Sequence, residues 1–351
     1  MKNDIILSMN DVTTLEGKKK KNWTAVFVIL IVVFSLCCLQ YMNLRYDVLA
    51  RYPYRDETSR ELIRKYLTEE EIEYIIEYSI PPNMFIAYIA EDGFSIYHAA
   101  EYKKLSESQW DKSPAAIVQM VEETRNIMSL EQLEVYLLDN NYSFDDIHAW
   151  IVNRENDPSQ LVTYAFNPDT WLDNSHTVST RKPQLVLLAD IPTVNDRKVE
   201  VHESVQAPLV SLCSGIRSSL SSTRACAGLL VDDGYISYSQ QTIRNDSATQ
   251  KGQDPDIRTA AKPGHDEHQL GLAIDFAVDG IQDESFEKTI QSQWLKENAW
   301  KYGFVNTWNK DDAYLANHVS EPWHYRYIGY DLARTIHESG LSFARYKALI
   351  R

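Results

Sequence analysis

Two short segments of this 351-residue chain concentrate side chains that could do chemistry, His268-Gln-Leu-Gly-Leu-Ala-Ile-Asp275 and Glu321-Pro-Trp-His324. A catalytic zinc ion takes three protein ligands from His, Asp, Glu or Cys and keeps a fourth position for water. It also needs a carboxylate close by to take the proton from that water. His268, Asp275 and His324 would be the ligands, and Glu321 the base. Gly271 and Ala273 are small enough to let the loop return, so that an imidazole before the turn and a carboxylate on the next strand can face one ion. Asp275 sits in Leu-Ala-Ile-Asp-Phe, where an acid is costly unless it is paired or bound to a cation. In the second segment Pro322 tightens the chain and Trp323 shields it, so that His324 binds the ion while Glu321 reaches the water. A buried His–Asp pair beside a surface glutamate explains any one of these residues, but not all four at these spacings.

The elements that must hold these residues begin near Gln184. Leu185–Leu188 is a short apolar run, and Val205–Leu220 reads as a helix with Pro208 in its first turn. Leu229–Ser237 is strand-like with a turn at Gly234, and Leu270–Val278 reads as a further strand. Phe286–Tyr302 has the spacing of an amphipathic helix with Trp294, Leu295 and Trp300 on its buried face. Gly303-Phe-Val and Tyr325–Ile328 are strand-like, and Leu332–Ile336 and Phe343–Ile350 close the chain as helices. Strands and helices mixed without a βαβ rhythm predict an α+β fold, a small antiparallel sheet flanked by helices.

Upstream the texture is helical. Thr68 with Glu71 predicts a capping box, and Leu67, Ile72, Ile75 and Ile76 give the helix after it an apolar face. Pro81-Pro82 ends it, and Met84–Ile89 reads as a second apolar helical stretch. Ser129–Leu138 and Phe144–Ile151 look like a second copy of that unit, a weak two-copy repeat of a small all-α domain. His98 and His148 lack ligand-spaced neighbours and read as structural.

Lys18–Lys21 precedes an uncharged apolar run from Trp23 to Met42, and about 20 such residues suffice for a helix to cross a bilayer. A cleaved signal peptide competes with that reading, but this apolar run is long and is followed by no small-x-small cut site. The lysines place the N-terminus in the cytosol and the rest of the chain outside. The expected organisation is a cytosolic tail (1–22), a transmembrane helix (23–42), a stalk (43–60), a helical domain (61–165), a linker (166–184) and a catalytic domain (185–351). A net charge of −15 argues against broad nucleic-acid binding, which needs basic surface. Whether Cys213 and Cys226 join is left open by their spacing, as is the oligomeric state.

The blocks PGHDEHQLGLAIDF and EPWHYRYIG resemble the two signatures of the VanY-type D-Ala-D-Ala carboxypeptidases, zinc peptidases grouped with lysostaphin-like and hedgehog-like folds. The resemblance covers roughly residues 185–351. It implies zinc as cofactor, His268, Asp275 and His324 as its ligands, and Glu321 as general base and acid. Peptidoglycan stem peptides are the substrate it implies. A third family block, close to S-G-Y-R-S-Y-x-x-Q, corresponds to Asp233–Gln241, so Tyr235, Ser237 and Gln241 join Trp323 as expected substrate-binding residues. Ile236 stands where that block carries an arginine thought to polarise the scissile carbonyl. Asp266 stands in place of a serine, where an acid facing the substrate would repel a terminal carboxylate. Arg224, Arg244 or Arg258 could supply the missing cation.

The expected function is therefore a membrane-anchored extracellular zinc peptidase of D,D-carboxypeptidase type, using zinc-activated water with Glu321 as base. Loss of the arginine leaves two alternatives, a zinc-binding but catalytically weak wall-peptide sensor or scaffold, and an endopeptidase with altered substrate.

Overall fold

The uncharged run Trp23–Met42 lies within a long helix, Asn10–Leu44, and is the one candidate span among the described residues apolar enough to cross a membrane. The computed structural model describes residues 10–44, 46–250 and 260–350, and the chain divides into units 1–100 and 101–351.

In the first unit, Thr68 and Glu71 form the expected capping box at the head of helix Glu69–Glu77, with the Thr68 N–H donating to the Glu71 carboxylate at 2.8 Å. Ile72 and Ile75 drop from that helix into a core with Leu49, Tyr52, Ile63 and Phe85. Met84–Ile89 is not a helix. A 3-10 turn, Pro82–Met84, passes into further turns that carry Phe85 and Ile89 into the same core.

The division at residue 100 falls inside the span expected as one helical domain. Helices Pro114–Thr124, Leu130–Glu134 and Phe144–Asn153 belong to the second unit, the last two opened by capping boxes at Ser129 and Ser143. In this later copy the second helix does form, so the two copies of the expected repeat differ. Residues 166–184, expected as a linker, are paired: β1 (Gln160–Leu161) runs parallel to β2 (His176–Thr177), and the Val178 N–H donates to the Gly264 carbonyl at 2.9 Å.

β3 (Leu185–Leu187) and β4 (Glu200–His202) form an antiparallel pair leading into helix Glu203–Ser219, in which Pro208 lies beyond the first turn. Cys213 on that helix is disulfide-bonded to Cys226, thirteen residues on. The main sheet is antiparallel and four-stranded, built of β5 (Leu229–Asp233), β6 (Ala273–Val278), β7 (Phe304–Val305) and β8 (His324–Tyr327), in the order β5-β6-β8-β7. The fold is α+β, a small antiparallel sheet with helices around it.

The two central strands are buried along their whole length, so the polar residues they carry, Asp275 on β6 and His324 and Arg326 on β8, are buried with the apolar ones. The expected helix over 286–302 is α-helical only at Ile290–Asn298, between 3-10 turns.

β6 starts later than the apolar pattern suggested because Glu267–Leu270 winds into a 3-10 turn that Gly271 ends at φ +68°. A Cβ at Gly271 would stand 2.8 Å from the His202 backbone nitrogen, whereas Gly280 has a positive φ and open space. Gly271→Ala is expected to lower unfolding free energy by about 2–3 kcal/mol, and Gly280→Ala by only about 1 kcal/mol, since strain alone costs roughly 1–3 kcal/mol. Urea unfolding of the two variants checks the difference.

Candidate metal centre

Strand register assembles the site. β6 pairs with β8 so that Asp275 lies directly opposite His324, and β5 pairs with β6 so that Asp233 flanks Asp275 on the other side. His268 arrives from the 3-10 turn before β6. The ligand atoms of His268, Asp275 and His324 all lie within 4.8 Å of one another, and all three side chains are buried. Asp275 Oδ1 is 3.3 Å from His268 Nε2 and 3.1 Å from His324 Nδ1.

The outward nitrogen of each ring decides whether this donor set fits a metal. His268 Nδ1 sits 2.6 Å from the Gly234 carbonyl oxygen, which can only accept, so in the neutral, metal-binding form of the ring the proton belongs on Nδ1 and the Nε2 lone pair faces Asp275. His324 Nε2 sits 3.0 Å from Glu267 Oε2, which leaves the Nδ1 lone pair facing Asp275. A metal-binding histidine characteristically gives its other N–H to a carbonyl or carboxylate, which fixes tautomer and ring angle. Both imidazoles meet that condition, and two nitrogens with one carboxylate oxygen suit zinc. Electrostatics agree. Burial works against charge on His268, but Asp275, Asp266 and Asp233 outweigh it and push the imidazole up to about 10. Asp275 is likewise held well below the carboxylate range against its burial, by His268 and then His324. The pocket favours positive charge at its centre.

The second segment is pinned from the loop after β7. The Asn306 amide donates to the carbonyls of Glu321 and His324, 2.8 Å each, and the Glu321 N–H donates to the Trp308 carbonyl at 2.8 Å. Glu321 is buried, and burial, followed by the field of Asp275, raises its carboxyl to about 8. The aromatic cover on His324 is Trp308, whose ring stacks at 3.5 Å on His324 and 3.6 Å on His318. Trp323 is half-buried, and its carbonyl accepts from the Phe276 N–H.

The remaining expected residues lie around this centre in other roles. The Asp266 carboxylate accepts the His268 N–H at 2.8 Å and so caps the 3-10 turn, buried at 4% exposure. Ser237 caps helix Tyr238–Gln250 by exchanging bonds with Gln240. Gln241 is buried and donates to the Ala261 carbonyl at 2.8 Å, with its Oε1 unpaired. Tyr235 lies under the Lys182 ammonium, and its N–H donates to the Glu200 carbonyl.

Ile236 is buried, and its N–H donates to the His268 carbonyl at 3.3 Å. Of the three arginines named as substitutes, Arg224 is paired with Asp279, and Arg258 lies outside the described residues. Arg244 binds Asp233 at 2.8 Å, and the fields of Asp266 and Asp275 also reach it.

Sequence reasoning passed over Glu267, Thr307, Trp308, His318 and Arg326. Arg326 left a trace in the strand period, since two residues beyond His324 on β8 it shares that face. The others come from loops whose approach only tertiary structure determines.

Burial pushes the His318 imidazole down to about 4, and its Nδ1 lies 3.0 Å from the Val319 carbonyl. The unfolded chain takes up this proton near pH 6.5 and the folded one does not. Stability is thus full above pH 6.5 and is lost as pH falls toward 4, by at most about 3 kcal/mol from this group. Urea midpoints at pH 7 and pH 5 are expected to converge in His318→Asn relative to the parent chain.

Residues 223–330 match the VanY family, D-alanyl-D-alanine carboxypeptidase. The chain is 35% identical over 117 residues to the Bacillus subtilis protein YodJ, a match covering 32% of this chain and 43% of that one. It is 41% identical over 86 residues to a D-alanyl-D-alanine carboxypeptidase of Enterococcus faecalis, covering 24% of this chain and 31% of the relative. It thus spans less than half the length of either relative. Among solved structures, the LdcB LD-carboxypeptidase superposes with a TM-score of 0.49 at 23% identity, over 55% of this chain and 91% of that chain. The segment that supplies Asp233, His268, Asp275, Glu321 and His324 is the one the family model matches, so the site lies within the part of the chain that is similar to VanY-type D-alanyl-D-alanine carboxypeptidases.

Proposed function

We propose that this chain is a zinc peptidase that removes the terminal D-alanine from peptidoglycan stem peptides, a D,D-carboxypeptidase. Residues 23–42 would anchor it with the N-terminus in the cytosol and the second unit outside the membrane. One observation carries the reading: two imidazoles meet at one carboxylate oxygen, and each has its far nitrogen held by an acceptor. A structural His–Asp pair has no need of that double constraint.

His268, Asp275 and His324 would hold the zinc ion. When bound, zinc supplies a Lewis acid for the scissile carbonyl and lowers the pKa of water. Glu321 is suited to accept a proton from the attacking water at its carboxylate and return it to the leaving amine. A group that must take and give a proton works best with a pKa near the working pH, and burial puts Glu321 there, at about 8. Asn306 and the Trp308 carbonyl fix the backbone on which Glu321 and His324 stand. Trp308 covers the His324 ring and keeps water from that side.

The substrate carries a free carboxylate, and this chain has Ile236 where the family block has a cation. Arg244 is our candidate for the counter-charge. Asp233 anchors one side of its guanidinium, and the side chain is about half exposed, so a further anion can reach it. Asp266 turns one oxygen to the His268 N–H and is buried, so it serves the turn before β6.

Full-length protein in detergent, loaded with zinc and given defined muropeptides, should release D-alanine. Glu321→Gln should keep its zinc and lose roughly 10²–10⁴ in rate, as read by mass analysis of the products. A zinc-loaded parent chain that leaves every peptide uncut would point to a wall-peptide sensor instead. Arg244→Met should raise KM up to about fivefold for a peptide with a free C-terminal carboxylate, in keeping with the roughly 1 kcal/mol at most that a screened charge contact is worth. It should change KM little for the C-terminally amidated peptide. Equal effects on both would remove Arg244 from carboxylate recognition.

A further inference from the structure

Glu267 precedes a metal-site histidine in sequence, yet its side chain serves the other one. The residue is 2% exposed and Arg326 is completely buried. Glu267 Oε2 accepts from His324 Nε2 at 3.0 Å and from the Thr307 hydroxyl at 2.5 Å, while Oε1 accepts from Arg326 Nη1 at 2.8 Å. Arg326 Nη2 then donates to the carbonyls of Pro168, at 3.1 Å, and Thr170. A continuous chain of bonds thus runs from the Pro168–Thr170 turn through Arg326 and Glu267 to the back of the His324 ring. Its first members lie outside the family-matched segment 223–330.

We infer that Glu267 is the positioning residue that fixes the His324 ring toward the metal, and that the Pro168–Thr170 turn, acting through Arg326, fixes Glu267. A neutral imidazole has one N–H, and a carboxylate at Nε2 demands it there, so the Nδ1 lone pair is presented on the Asp275 side. A carboxylate also makes the ring a stronger donor than an amide or carbonyl would. Arg326 keeps that carboxylate ionised in a place where an unpaired charge is costly.

The same upstream region grips the residues around Glu267. His265 Nε2 lies 2.6 Å from the Asp157 carboxylate, and its Nδ1 lies 2.6 Å from the Asp173 carbonyl. The Gln269 amide donates to the Ser179 carbonyl at 2.6 Å and accepts from the Gly264 N–H at 2.9 Å. The turn carrying Glu267 and His268 is therefore held on both flanks by residues 157–179. The inference rests on the zinc reading above, which uses only the acceptor at His324 Nε2, and extends it to Arg326 and the Pro168–Thr170 turn behind that acceptor.

The test uses full-length protein in detergent as parent, Glu267→Gln and Glu267→Gln/Arg326→Met. Zinc affinity is measured by chelator competition, the visible absorption of the cobalt-substituted site reports ligand geometry, and thermal unfolding reports stability. Both variants should bind zinc roughly 10–100-fold more weakly and show a displaced cobalt spectrum. The double variant should regain the melting temperature that Glu267→Gln loses, since no buried guanidinium is left without its partner. If Glu267→Gln does not fold, the double variant supplies the comparison. A purely structural ion pair would change the melting temperature and leave affinity and spectrum at parent values, and that result overturns the inference. A parent chain that takes up no zinc overturns the metal reading, and the inference with it.

Discussion

Everything at the centre depends on the register between β6 and β8. Asp275 faces His324 because those two residues are partners in the antiparallel ladder. A slip by one residue would turn every side chain of one strand to the opposite face of the sheet. The same ladder position holds Asp233, so three adjacent strands present acid, acid and imidazole in a row. Register is protected by burial. Ile274, Phe276, Tyr325 and Tyr327 fill the spaces between the charged positions, and none tolerates exchange with a carboxylate or a guanidinium.

Charge compensation follows from that constraint. Packing Asp233, Asp266, Glu267, Asp275 and Glu321 into one region would be untenable if all were free acids. The acids divide by partner. Glu267, despite its burial, is drawn down to about 2 by Arg326 and His324, and Asp275 is drawn down by the two imidazoles. Asp266 gives one oxygen to the His268 N–H, and Asp233 lies between Arg244 and Arg197. Glu321, in contrast to Glu267 and Asp275, is raised by its burial, and that contrast supports the proton-transfer role proposed for it. Two carboxyls whose environments push their pKa values apart commonly divide the work of a site in this way.

What could be read from the sequence was what depends on local chemistry. The capping box at Thr68 and Glu71 needs only four residues, and the His268–Asp275 and Glu321–His324 segments carry residue types that few other purposes would assemble. Met84–Ile89 shows where local reading stops. Its apolar spacing suits a helix, but successive turns bring the same residues into the same core. Of the support for His324 only Arg326, two residues on in the same strand, left a trace in the sequence, because the rest is assembled from Pro168, Thr170, Glu267 and Thr307. No spacing rule connects a turn carbonyl to an arginine that far along the chain.

The disulfide bears on this site through the unfolded chain rather than the folded one. Cys226 and Ala227 both adopt positive φ, 48° and 54°, in the turn that delivers β5, and neither is a glycine. A chain free to choose would seldom visit that conformation. With Cys226 already tied to Cys213, the denatured ensemble searches a closed ring instead of an open segment, and less entropy remains to be lost when the turn forms. The strand that carries Asp233, and the Gly234 carbonyl that orients His268, thus follow directly from a turn that is covalently tied to the helix Glu203–Ser219.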